Sequence, residues 1–184
     1  FFTPLFKSPV WTGLFISNIS FLASLIIFYR LVLLDHSPQV AKWILLSLLF
    51  FPTNFFFSAI YTEGLFFLLL VSSFYFARTG RWWLTGILGG LATYTRFIGI
   101  FIFPALLLEY WQQNPSPPLN FKKILPIFLI PVGLLLFMYY LSQTVNDPLA
   151  FIHVQKSFGQ FRSEKIILLY QVFWRYVKMI ITVD

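Results

Sequence analysis

The stretch WWLTGILGGLATYTRFIGIFIFPALLLEYW, residues 82–111, decides how this chain is built. As one straight helix it would run about 45 Å at 1.5 Å per residue, well beyond a hydrocarbon core of about 30 Å. Arg96 would then sit at mid-membrane. As two segments meeting around Thr95-Arg96-Phe97, each has about 14 residues and covers about 21 Å, too short to cross fully. Either way Arg96 lies below the membrane surface. An ionised side chain there costs about 2.5–3.5 kcal/mol on insertion scales, so it turns toward a cavity, a partner or a ligand.

The basic loops choose between the two. Two short segments return Lys122 and Lys123 to the side that holds Arg30, Lys42, Arg78 and Arg81, whereas a single span splits the basic residues between both sides. The two-segment reading is therefore preferred, with the shared basic side cytoplasmic.

Composition agrees with a membrane setting. Hydrophobic residues make up 59% of the 184 and charged residues only 10%, with a mean hydropathy of +0.80. A soluble domain carries about 25% charged residues to wet its surface. Aromatic residues reach 22%, and Trp and Tyr gather near the ends of the apolar runs, where interfacial belts form. The net charge of +7 is scattered among loops and forms no stripe, which argues for positive-inside bias and against a nucleic-acid partner. With no Cys, the sequence does not fix a redox compartment.

The fold expected is all-α: a polytopic transmembrane helical bundle, with residues 1–184 forming part of a single membrane domain. Residues 11–34 make a first span, ended by the Asp35-His36-Ser37-Pro38 turn. A second runs from about Val40 to Ile60, kinked or ended near Phe51 by Pro52 and Asn54. A third runs from about Gly64 to Ala77 and closes on the basic turn Arg78-Thr79-Gly80-Arg81. After the two short segments and the Pro-rich loop 112–121, Ile124 to Leu141 forms another span, broken by Pro126 and Pro131. Ser142 to Lys165 is the longest polar stretch, and Ile166 to Val183 carries Gln171, Arg175 and Lys178 on one helical stripe.

Glu63, in FFFSAIYTEGLFFLLL at 55–70, is the second charge inside apolar sequence. Counting crossings from the Arg78–Arg81 turn places Glu63 and Arg96 at the outer ends of successive hairpins, on one membrane face and at similar depth. A salt bridge or shared polar pocket follows. A guanidinium held in such a pocket suits a phosphate bidentately. Tyr61 and Thr62 add hydroxyls beside the Glu63 carboxylate, a cluster suited to sugar hydroxyls. The plainer alternatives are that both charges cap helix ends and reach to headgroups, and that Thr62 N-caps the helix that Glu63 enters. Asp147 before Pro148 reads as an N-cap with Pro at N1, a helix that would turn His153 and Gln155 toward the outer cavity. The G-x-x-x-x-G-K-[ST], H-E-x-x-H and G-x-S-x-G patterns and Cys clusters are all absent, which argues against an ATP-driven pump or a zinc protease.

The ordered set FFPTNFFFSAIYTE at 50–63, ARTGRWW at 77–83, GILGGLATYTRFIG at 86–99 and DPLAFIHVQKSF at 147–158 resembles the PIG-V-like mannosyltransferases, polytopic GT-C glycosyltransferases that include the second mannosyltransferase of GPI-anchor assembly and bacterial relatives. The opening FFTPLF is similar to a Phe-Pro-Leu stretch of the family, with Thr3 interrupting it, and Phe158 stands where relatives often carry Trp.

The resemblance implies transfer of a hexose, typically mannose, from a polyprenyl-phosphate sugar to a lipid or glycan acceptor at the outer face, in a bacterial cytoplasmic membrane and among membrane lipids. No cofactor is expected, and the sequence carries no metal-ligand motif, which by itself does not decide metal dependence. Substrate-binding residues are expected at Tyr61, Glu63, Arg96, His153 and Gln155. The family's acidic residue in the first outer loop would precede Phe1, so residues 1–184 read as an internal, inactive piece of the enzyme. A transporter or flippase for lipid-linked sugars is the competing expectation.

Overall fold

The computed structural model describes residues 8–114 and 121–154, with 170, 171, 174, 178 and 179 beyond them. Among these residues every regular element is helical. The helices are α1 (Pro9–Val32), α2 (Pro38–Leu49), α3 (Phe55–Ser58), α4 (Glu63–Arg78), α5 (Trp82–Thr95), α6 (Ile102–Gln113), α7 (Phe121–Ile124), α8 (Leu129–Val145) and α9 (Ala150–His153). Turns of 3-10 helix at Pro52–Asn54, Phe97–Phe101 and Leu125–Phe128 lead into α3, α6 and α8. The FFTPLF opening and the 166–183 stretch, apart from its few described positions, lie outside the described residues.

Two helical runs are long and apolar enough to cross a membrane: α1, and the 21 residues Leu125–Val145. A third is reached only if α2 and the Pro52–Ser58 segment count together, and these are bent by 70°. The bend lies where Pro52 and Asn54 were expected to break the second span: α2 stops at Leu49, and Pro52 opens a 3-10 turn that the α-helix cannot continue. The helix expected at 64–77 is α4, 16 residues and about 24 Å long, short of a full hydrocarbon core unless its charged ends sit at headgroup depth.

The chain divides into two compact units, Phe1–Phe137 and Met138–Asp184. In the first, α1 packs along α4, and α4 in turn packs on α5 and α6. Its core gathers Leu69, Ala77, Trp82, Ala92, Ile102, Leu106, Tyr110, Ile127 and Ile130, with Trp82 meeting Tyr110 edge to face at 5.2 Å. The core is small because so many apolar side chains face outward; on α1 alone, Phe15, Leu22 and Ile26 are exposed. An apolar surface of this extent needs lipid or protein to cover it.

The α5 glycines serve backbone approach. A Cβ on Gly90 would come within 2.7 Å of the Leu129 carbonyl oxygen, so only a glycine lets α5 and the start of α8 lie this close. Pro126 sits in the 3-10 turn, whereas Pro131 lies inside the continuous 21-residue run Leu125–Val145, so the break expected at Pro131 does not interrupt the helical run.

At the C-terminal end of α4, Arg78 Nη2 meets Asp35 Oδ1 at 2.5 Å and Arg78 Nε meets Glu109 Oε1 at 3.3 Å. Glu109 also accepts from Gln113 Nε2 at 2.7 Å, and the same amide nitrogen donates to the Ala77 carbonyl at 3.2 Å. The hydrogen bond to Asp35, reinforced by the charges of Asp35 and Glu109, raises the Arg78 pKa above its ordinary value. One guanidinium thereby joins the turn after α1, the end of α4 and the end of α6.

In the second unit α8 ends at Val145, four residues past the expected limit at Leu141. Ser142 and Thr144 bond back to the carbonyls of Tyr139 and Tyr140, which lets polar residues continue the helix. Asn146, with φ 55°, then turns the chain.

Candidate functional site

Arg96 is placed by a break in the chain. α5 ends at Thr95, whose hydroxyl donates to the carbonyls of Leu91 and Ala92 at 2.8 Å each. Arg96 is extended, with φ −147° and ψ 126°, and its own N–H still reaches the Ala92 carbonyl at 3.0 Å. The Phe97–Phe101 turn then folds back so tightly that a Cβ on Gly99 would lie 2.7 Å from the Thr93 backbone. The structure therefore has the two short segments, and their junction is Arg96 itself.

Glu63 is placed by a clamp that sequence reading missed. Residues 59–62 are irregular, and α1 holds them from one side. Ser17 Oγ donates to the carbonyls of Phe57 at 3.0 Å and Tyr61 at 3.2 Å. Asn18 Nδ2 donates to the Ser58 carbonyl at 3.1 Å. Phe57 stacks on Phe21 with ring centroids 4.9 Å apart, and a Cβ on Gly64 would lie 2.7 Å from the Ser17 carbonyl oxygen. Polar residues in the run TGLFISNISFLAS were the available signal, since a buried hydroxyl in an apolar helix must find an acceptor. Thr62 occupies the N-cap position of α4 but makes no side-chain capping bond, so the simple cap reading does not hold there.

The two charges meet. Arg96 Nη1 lies 2.5 Å from Glu63 Oε1, and the side chains are 35% and 26% exposed. The guanidinium carbon stands 5.9 Å from the centre of the Phe66 ring, a cation–π approach. Glu63 Oε2 is buried with no hydrogen-bond partner among the described residues. A carboxylate oxygen left this way costs about 1–3 kcal/mol, and a donor brought by a ligand or by water would recover it. The contact uses one Nη1–Oε1 bond and leaves the rest of the guanidinium fork open to a second oxyanion.

Tyr61 goes elsewhere. It is exposed and lines a cavity of about 340 Å³ with Gly13, Ile16, Ser17, Ile60, Thr62 and Leu65. Glu63 and Arg96 do not line that cavity, so the expected grouping of Tyr61 with the Glu63 carboxylate is two neighbouring features.

In the second unit, His153 Nδ1 lies 2.7 Å from Asp147 Oδ2, and Asp147 Oδ1 accepts the Leu149 N–H at 2.9 Å. The regular helix begins at Ala150, later than the expected N1 at Pro148, although Asp147 does accept a cap-like bond. The hydrogen bond from His153, then that from Leu149, holds the Asp147 carboxyl below the usual carboxylate range. Gln155 lies outside the described residues. Among the described residues, no three His, Cys, Asp or Glu side chains gather where a metal ion would sit.

No family model, no curated protein and no solved structure matches this chain.

Proposed function

We propose that the chain belongs to a GT-C-type glycosyltransferase of the PIG-V-like kind, which moves a hexose, in the first instance mannose, from a polyprenyl-phosphate sugar to a lipid or glycan acceptor at the outer face of a bacterial cytoplasmic membrane. The observation that carries the reading is the half-used ion pair: Arg96, at a helix break beside apolar surface, bonds Glu63 through one nitrogen and keeps most of its fork. A lipid phosphate at headgroup depth needs a fixed cationic partner of that kind.

In the transfer, an acceptor hydroxyl oxygen bonds to the anomeric carbon while the bond from that carbon to the phosphate oxygen breaks. The bond electrons leave with the phosphate, and the hydroxyl proton passes to a base. Arg96 stabilises the charge that grows on the leaving phosphate. Among the described carboxylates, Asp35 and Glu109 are tied to Arg78 and Asp147 is tied to His153, so none of these three is offered as that base. Glu63 orients sugar hydroxyls and holds Arg96.

The test is sugar transfer by the full-length protein in proteoliposomes supplied with polyprenyl-phosphate mannose. Arg96→Ala is expected to lower transfer by about 10²-fold or more, and Arg96→Lys by less, since Lys keeps the charge but loses the fork. Wild-type transfer by the Ala variant removes Arg96 from the chemistry. Movement of the lipid-linked sugar across the bilayer without transfer identifies a flippase instead.

A further inference from the structure

The Glu63–Arg96 pair has a feature that phosphate binding alone does not require. A carboxylate beside the guanidinium cancels its charge, which weakens the site for any anion, and its second oxygen is buried and has no hydrogen-bond partner among the described residues. A site built only to hold phosphate is better served by Arg96 without Glu63. The arrangement instead suits a ligand that brings one negative charge for the open fork and a hydroxyl for Oε2.

Resting on the glycosyltransferase reading, we propose that Glu63 is the specificity-determining residue that makes this site prefer the sugar phosphodiester over the bare polyprenyl monophosphate left after transfer. The two lipids differ in two ways at this position. The diester carries a single negative charge and a sugar whose hydroxyls can donate to Oε2. The monoester carries about −1.5 to −2 at pH 7 and no sugar. Its additional charge would face the Glu63 carboxylate across a partly desolvated gap, and Oε2 would stay unsatisfied. The same carboxylate thus welcomes the donor lipid and repels the spent one, which favours product release.

A purely structural Glu63 that only holds Arg96 in place predicts a different result. Removing it would loosen the guanidinium and weaken both lipids in parallel. The ratio of the two affinities separates the cases.

The experiment uses the full-length protein in nanodiscs and measures KM for polyprenyl-phosphate mannose, Ki for polyprenyl phosphate and direct binding of each lipid, with inorganic phosphate as a further competitor. In the wild type the monophosphate lipid is expected to bind about tenfold or more weakly than the donor, and inorganic phosphate not to compete, since the site reads the phosphate on a lipid. Glu63→Gln is expected to lower Ki/KM by about tenfold, because the amide removes the repelling charge and keeps an acceptor. Glu63→Asp is expected to keep the ratio near that of the wild type.

Equal binding of the two lipids by the wild type overturns the proposal without any variant, and so does a Gln variant that moves KM and Ki together. If the wild type transfers no sugar, the glycosyltransferase reading fails, while the direct binding comparison still decides whether Glu63 discriminates the two phosphate lipids.

Discussion

Helix α4 carries an ion pair at each end, and the two ends are built differently. At Arg78 the guanidinium is used twice, on Asp35 and on Glu109, and Glu109 is also bonded by Gln113. At Glu63 there is, among the described residues, one ion-pair contact, to Arg96, and a carboxylate oxygen with no hydrogen-bond partner. The charges are of the same kind and the exposures similar, 34%, 46% and 17% for Arg78, Asp35 and Glu109 against 26% and 35% for Glu63 and Arg96. The difference lies in saturation. A network that fills its own valences fastens helices together, whereas a pair that leaves some open has capacity for a ligand.

The strongest way to break this comparison is to remove each arginine and measure transfer by the full-length protein. Arg96→Ala should cost about 10²-fold or more, the scale seen when a fixed charge-stabilising donor is lost from a reacting centre. Arg78→Ala should change transfer by less than about threefold and cost about 0.2–1 kcal/mol of stability per exposed contact, read by thermal unfolding in the same membranes. Equal losses of transfer at the two ends would mean that saturation does not distinguish a site from a fastening.

A smaller effect sharpens the same contrast through charge exchange. Swapping the pair at the Arg78 end, Asp35→Arg with Arg78→Asp, should recover part of the stability lost by either single change, with a coupling of about 0.5 kcal/mol or more. Swapping at the other end, Glu63→Arg with Arg96→Glu, should recover stability but not transfer, because the fork then issues from the wrong helix. Restored transfer in that double variant would reduce the Glu63 site to a salt bridge.

What the sequence made legible follows the range of each interaction. The break at Arg96 could be read because a charge inside apolar segments too short to cross is a local contradiction. The Glu63–Arg96 meeting could be read because counting crossings needs only the order of hydrophobic runs. The basic-loop argument put Arg78 on the cytoplasmic side, but not its contacts with Asp35 and Glu109, which depend on where α6 lies against α4. Of the Ser17 and Asn18 clamp only the donor half was legible, as polar residues in an apolar helix; their acceptors are backbone carbonyls 40 and 44 residues away, which have no side-chain signature. The end of α8 was misjudged because polar residues were taken to end the helix, while Ser142 and Thr144 satisfied themselves within it.

The smallest expected effect concerns Asp147 and His153, an exposed pair in which both Asp147 oxygens have partners. By the saturation criterion it fastens a turn, and Asp147→Asn should alter transfer by less than about threefold. Its pH dependence has a definite sign. The folded Asp147 titrates below the unfolded carboxylate value of about 3.9, so the unfolded state binds more protons in that range. The pair's contribution is complete above that value and is lost only as pH falls through the lower folded pKa. Hydrogen exchange at the Leu149 amide, which donates to Asp147, should therefore stay protected from pH 7 to pH 5, once corrected for intrinsic exchange, and lose protection only in stronger acid. Asp147→Asn should exchange faster than wild type at both of the higher values. Protection that collapses between pH 7 and pH 5 would show that the Asp147 carboxylate does not control the turn, and a large loss of transfer in Asp147→Asn would show that a saturated pair can also serve the reaction.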